Sequence, residues 1–172
     1  MPSSNPKILI TGSDGFVAKN LILTLKEKNN FDLIFFNKSN TTEDLKEFIR
    51  SSNFIVHLAG ENRPINEEDF YNVNHGLTKL VCEIAKSTGK IIPILFFSSM
   101  QASVDNLYGK SKKQGEQQVI KYNKETGNKV IIYRPPGIFG KWCKPNYNSV
   151  VATFCNNIAN NEPIKVNNEN KN

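Results

Sequence analysis

Tyr108 and Lys112 stand four residues apart in the run Tyr108-Gly109-Lys110-Ser111-Lys112. On a helix that spacing puts both side chains on one face, about a turn apart. An ammonium so placed favours the ionised form of the phenol and makes the tyrosine a usable proton donor or acceptor near neutral pH. Nine residues before Tyr108, Ser99 ends an apolar stretch. A hydroxyl there can hydrogen-bond a substrate carbonyl while Tyr108 exchanges the proton and Lys112 anchors a ribose. Tyr-x-x-x-Lys alone is ordinary in so lysine-rich a chain, although Tyr71, Tyr122, Tyr133 and Tyr147 have no lysine four residues on.

A second motif gives the pair its meaning. Thr11-Gly12-Ser13-Asp14-Gly15-Phe16-Val17-Ala18 follows a strand-like run and opens a helical pattern, the context a dinucleotide fingerprint requires. Gly12 permits a tight turn, Gly15 lets backbone amides approach a pyrophosphate at the positive helix end, and Ala18 allows close packing on the sheet. The alternative is a plain strand-to-helix turn. The expected dinucleotide contacts are Gly12, Ser13, Asp14, Gly15, Phe16 and Val17, the strand exit Leu58-Ala59-Gly60, and Tyr108 with Lys112. The second strand ends Phe36-Asn37-Lys38-Ser39, where an NAD site usually carries an acid for the ribose 2′-hydroxyl. Lys38 suits a 2′-phosphate, so NADP(H) is expected in preference to NAD(H); a solvated surface lysine is the alternative.

Other polar residues receive blander readings. His57 and His75 read as core histidines. Glu116 reads as a solvated-face residue or the partner of a lysine one turn away. Ser98 points to the opposite side of its strand from Ser99. Cys82, Cys143 and Cys155 are odd in number and lack metal-ligand spacing, which implies reduced thiols, no metal site and a cytoplasmic setting.

These residues need a frame. Strands are expected over Lys7–Thr11, Phe31–Phe36, Asn53–Gly60, Ile91–Ser99 and Val130–Tyr133. Helices are expected over Phe16–Lys28, a short stretch capped by Thr41 or Thr42, Glu67–Ser87, Tyr108–Glu125 and Ser149–Asn160, with a polar tail from Val166. The alternation predicts an α/β, Rossmann-like, doubly wound parallel sheet of order 2-1-3-4-5. Ligands of such sheets sit over the carboxyl ends of the strands, where the Gly12 turn, Gly60 and Ser99 fall.

The 172 residues suffice for one domain with a proper core. No apolar run approaches the roughly 20 residues of a membrane helix, and the stretch from Met1 to Lys7 has no signal-peptide core. The net charge of +6 comes from scattered lysines, with no groove-reading motif, so phosphate-bearing small molecules are favoured over nucleic acid.

Together the motifs resemble the extended branch of the short-chain dehydrogenase/reductase superfamily, which includes NAD(P)-dependent sugar-nucleotide epimerases, dehydratases and reductases. The resemblance assigns Ser99, Tyr108 and Lys112 to carbonyl orientation, proton transfer, and ribose binding with pKa lowering. Asn72 lies where the branch often carries an asparagine. Gly60-Glu61-Asn62-Arg63-Pro64, Ser98-Ser99-Met100-Gln101-Ala102 and Phe139 to Ser149 more closely resemble the capsular-polysaccharide UDP-sugar reductase/epimerase family. That likeness implies NADPH-dependent reduction of the C4 ketone of a UDP-2-acetamido-2,6-dideoxy-hexulose, with Pro136 on the cofactor side. Arg63, Gln101, Lys144, Asn148 and Ser149 are its implied substrate contacts, and Trp142 or Tyr147 could stack on a ring. Gly137 replaces the family's usual Asn. The expected division is a cofactor domain over 1–140 and the start of a substrate lobe over 141–172, with the rest of that lobe and a cupin domain absent. An NAD-dependent epimerase or dehydratase, an inactive NADP-binding module and a homodimer stay open.

Overall fold

The computed structural model describes residues 5–166; the first four residues and the tail expected beyond Val166 lie outside it. The chain divides into two compact units, Met1–Pro136 and Gly137–Asn172. In the first, five parallel strands, β1 (Lys7–Thr11), β2 (Asp32–Phe36), β3 (Phe54–His57), β4 (Ile94–Phe97) and β5 (Val130–Tyr133), form one sheet. Their order is β2-β1-β3-β4-β5, as the alternation of elements predicts.

The two-residue period of β1 explains why both sheet faces are covered. Leu9 points to one face, where Leu45 and Ile49 of α2 (Thr42–Ser51), Val81 and Ala85 of α4 (Thr78–Ser87), and Val119 and Tyr122 of α5 (Leu107–Thr126) close the core. Ile8 and Ile10 point to the other, against Ala18, Leu21 and Leu25 of α1 (Phe16–Lys28). Each of the fully buried Leu9, Ile10, Leu45, Ile49 and Val81 side chains contributes roughly 1.5–3 kcal/mol.

Local signals start and stop the helices. Thr41 and Asp44 form a reciprocal capping box on α2. Asn106 caps α5 by accepting from Gly109 N at 2.7 Å, and Gly127 ends it at φ 72°. The single helix expected over Glu67–Ser87 is instead α3 (Glu68–Tyr71), a π-helical segment Asn72–Leu77, and then α4. Such a wide turn is often a functional feature. No helix among the described residues is long and apolar enough to cross a membrane.

The second unit contains α6 (Val150–Ala159), capped by the hydroxyl of Ser149, which accepts from Ala152 N at 3.2 Å. Asn148, just before this cap, is exposed.

Candidate active site

The glycine turn is built for close approach. Gly12 adopts φ +67°, and a Cβ there would lie 2.7 Å from Ala59 Cα, so the turn packs directly on the exit of β3. Gly12 N and Ser13 N donate to Phe36 O, which ties the turn to the end of β2. Gly15 occupies the N-cap of α1 without a side chain to accept from the first amides, and the first turn holds no acid. That leaves the positive helix end free for an anion, so the residues present fit a dinucleotide pyrophosphate.

The candidate trio gathers at the next strand ends along this rim. Gly109 allows it, since a Cβ would meet Gln101 O at 2.2 Å and Val104 O at 2.4 Å. Helix α5 therefore starts hard against the 3₁₀ turn Met100–Ser103, and the Tyr108 phenol comes within reach of the Ser99 hydroxyl. Phe70 stands beside the Tyr108 ring, with centroids 5.9 Å apart. Lys112 is buried, donates to Phe97 O at 2.7 Å and lies over the Phe96 ring. A Cβ on Gly60 would be 3.5 Å from its ammonium, so Lys112 looks onto the β3 exit that Gly12 touches.

The electrostatics correct one expectation. Burial pushes the Tyr108 phenol above its ordinary value, and the nearby Ser99 hydroxyl offsets only part of that. The phenol is therefore held protonated; the lowering expected from Lys112 does not occur with the ammonium turned to Phe97 O. Burial also lowers Lys112 itself to about 8, with the charge of Glu116 acting the other way.

Behind the trio runs a buried hydrogen-bond chain whose direction can be worked out. Thr78 Oγ1 donates to Asn74 O at 2.8 Å, so its proton is committed. His57 Nε2–H must then donate to Thr78 Oγ1 at 2.9 Å, and Nδ1 accepts from Thr11 Oγ1–H at 2.6 Å. Thr11 Oγ1 accepts in turn from Ala59 N at 3.2 Å. His57 is a core histidine, as its apolar neighbours imply, and burial followed by the Lys112 charge lowers it to about 3.

Asn74 extends the chain to α5. Its side chain accepts from Glu61 N and donates to Glu61 O and Ser111 Oγ, while Ser111 Oγ donates to Tyr108 O. The inward asparagine is therefore Asn74; Asn72 is exposed. The i, i+4 spacing of Asn74 and Thr78 was the available signal. Glu116 is likewise corrected from a solvated-face residue to a buried one. It does pair with Lys113 one turn away, at 3.5 Å, but Arg134 and Ser98 bind it more closely.

The remaining candidates spread outward. Lys38 is 93% exposed and lies 3.6 Å from Glu61, an acid brought to it from the β3 exit. Arg63 is exposed in the following loop, its amide donating to Glu61 Oε1. Gln101 is exposed beside Ser99, whose hydroxyl accepts from its amide. Pro136 is exposed after β5. In the second unit Lys144 and Asn148 are exposed, Ser149 is buried, and Lys141 lies over the Trp142 ring. Cys82, Cys143 and Cys155 are free thiols.

Comparison with known proteins adds a lineage to this geometry. The sequence model of the NAD dependent epimerase/dehydratase family matches residues 8–172. The UDP-2-acetamido-2,6-beta-L-arabino-hexul-4-ose reductase of Pseudomonas aeruginosa is 46% identical over 94% of the chain and 44% of its own length. The UDP-glucose 4-epimerase of Vibrio cholerae is 24% identical over 92% of the chain and 58% of its own length. Among solved structures, the capsular polysaccharide assembling protein CapF of Staphylococcus aureus superimposes with a TM-score of 0.82 at 47% identity. That match covers 95% of this chain and 44% of CapF. The chain spans about half the length of the curated relatives it matches.

Proposed function

The chain belongs to the NAD dependent epimerase/dehydratase family, and from that premise we propose that it carries the cofactor-binding part of an NADPH-dependent nucleotide-sugar 4-ketoreductase. The proposed substrate is a UDP-2-acetamido-2,6-dideoxy-hexulose destined for surface polysaccharide, in keeping with the printed activity of the Pseudomonas relative. The observation that carries the reading is the placement of Tyr108 beside the Ser99 hydroxyl on the rim that the Gly12 turn and Gly60 also occupy.

Bound reduced dinucleotide supplies the hydride. Ser99 Oγ–H would hold the carbonyl oxygen as negative charge develops on it. Tyr108 would deliver its phenolic proton to that oxygen, and a phenol kept protonated by burial suits donation in the reductive direction. Lys112 would contribute positive charge beside Gly60, where a ribose and nicotinamide would lie. The uncapped α1 terminus would take the pyrophosphate, and Lys38 the 2′-phosphate.

One observation favours a second reading, an NAD-dependent epimerase or dehydratase. Glu61 lies against Lys38 and supplies, from another strand, the acid missing at the end of β2.

NADPH consumption on a 4-keto UDP-sugar, followed by absorbance, tests the proposal. Wild type should oxidise NADPH in step with substrate. Tyr108→Phe should lose at least about 100-fold in turnover while still binding NADPH, a typical loss for a proton donor. Undiminished turnover in Tyr108→Phe removes the donor role. Binding without turnover in wild type replaces the enzyme with a nucleotide-binding module.

A further inference from the structure

Glu116 is the most deeply buried carboxylate described here, its side chain 1% exposed. Arg134 Nε and Nη2 each donate to one of its oxygens at 2.6 Å, and Ser98 Oγ donates to Oε1 at 2.6 Å. A buried charge needs such partners, yet an ion pair is a costly way merely to join a helix to a strand. What it joins is specific. Ser98 N donates to Tyr133 O at 2.8 Å and Met100 N donates to Pro135 O at 3.2 Å, so backbone bonds on both sides of Ser99 tie the β4 exit to the β5 exit. Glu116 clamps that joint through one side chain from each exit.

The same face of α5 presents Tyr108, Lys112 and Glu116 at successive turns, facing the Ser99 hydroxyl, the Phe97 carbonyl and the Ser98 hydroxyl respectively. We propose that Glu116 is a positioning residue of the candidate site: locked by Arg134, it fixes the peptide that carries Ser99 and sets a buried carboxylate one helical turn from Lys112. This deepens the reductase reading and rests on it.

The surroundings of Lys112 leave Glu116 as its charge partner. From β3 it faces His57, which is neutral; from β4 it faces the Phe96 ring and the Phe97 carbonyl. The π-helical segment offers the amide Asn74, and Glu61 beyond Gly60 is turned to Lys38. Its own helix offers the protonated Tyr108 and Glu116, with Lys113 and Arg134 on the far side of that carboxylate. Burial drives Lys112 toward the neutral amine and Glu116 opposes it.

The test is NADPH binding by the whole chain, followed by cofactor fluorescence from pH 6 to 10. In wild type, affinity should fall as Lys112 loses its proton. Glu116→Gln should move that midpoint down by about one pH unit, and Arg134→Gln, which leaves the carboxylate less neutralised, should move it up. Arg134→Lys keeps the charge and should keep the wild-type midpoint. It also preserves the comparison with Arg134→Gln should Glu116→Gln fail to fold by circular dichroism. Both Gln variants break the same ion pair, so shifts of the same sign, or none, overturn the proposal and point to a purely structural bridge. A wild type that binds no dinucleotide at any pH overturns the reductase reading beneath it.

Discussion

Lys112 Nζ donates to the carbonyl oxygen of Phe97 at 2.7 Å, so the ammonium is spent on the end of β4 and not on the phenol one turn away. The two conspicuous residues of the Tyr-x-x-x-Lys motif thus face separate partners, Lys112 the Phe97 carbonyl and Tyr108 the Ser99 hydroxyl. Both partners belong to the same strand exit. Helix α5 therefore grips the rim of the sheet through its Lys112 side chain.

The buried ammonium should be visible in the pH dependence of stability. Lys112 is lowered to about 8 in the folded chain from an ordinary value of 10.5. Between those values the unfolded chain binds the extra proton, so this group's contribution to stability rises with pH across that window. Lys112→Met has no such contribution. The unfolding free energy of wild type minus that of Lys112→Met, measured in urea at pH 7.5 and at pH 10, should increase. Comparing the two chains cancels Cys82, which burial pushes up to about 12 and which acts in the opposite direction.

His57 should govern the acid side. Its folded value of about 3 lies below the ordinary 6.5, so below pH 6.5 the unfolded chain takes up a proton that the folded chain refuses. Its stabilisation is present above pH 6.5 and lost as pH falls toward 3. His57→Gln can keep hydrogen bonds to Thr11 and Thr78 but cannot titrate. The stability gap between wild type and His57→Gln should narrow by up to about 1.4 kcal/mol per pH unit between pH 6 and 4, measured by denaturant midpoint and slope. A constant gap would show that the ring is not held neutral.

Gly109 marks where steric fit places the candidate tyrosine. The Cβ of Gly109→Ala would stand 2.2 and 2.4 Å from two backbone oxygens, and neither can rotate away. The start of α5 must shift, at a cost of roughly 1–3 kcal/mol, and Tyr108 moves with it away from Ser99. Thermal unfolding should show the loss. Gly137→Ala, with no neighbour within 4 Å and no positive φ, should leave the melting temperature nearly unchanged.

How far residues alone lead depends on what encodes each feature. Strands β1 and β5 and helix α1 lie where apolar period and turn residues put them, and the sheet order follows from alternation and handedness. The π-helical segment is not legible in the sequence, because a change of hydrogen-bond register leaves hydropathy almost untouched; within it Asn74 is buried, while Asn72 is exposed. Glu116 was misread because charge suggests solvent, while its partners Ser98 and Arg134 lie 18 residues away on either side in sequence. One clue was available: Tyr108, Lys112 and Glu116 repeat every four residues and share a face. The direction of the Tyr108 shift depends on where an ammonium points, and spacing does not specify that.

On the proposed reading, cofactor choice turns on Lys38 and Glu61. The lysine favours a 2′-phosphate, while the carboxylate 3.6 Å away competes for its charge and repels the same phosphate. The pair is exposed on the lysine side, so its effect is modest and screened by salt. Glu61→Gln should release Lys38 and raise the ratio of NADPH to NADH affinity by about 3–10-fold at low salt, a change of about 1 kcal/mol. Lys38→Ala should lower the ratio by a similar factor, and both effects should shrink as salt rises from 20 to 300 mM. Titrations of both cofactors by fluorescence give the ratio directly. If Lys38→Ala leaves it unchanged, the lysine is a solvated surface residue and the preference for NADPH has to come from elsewhere.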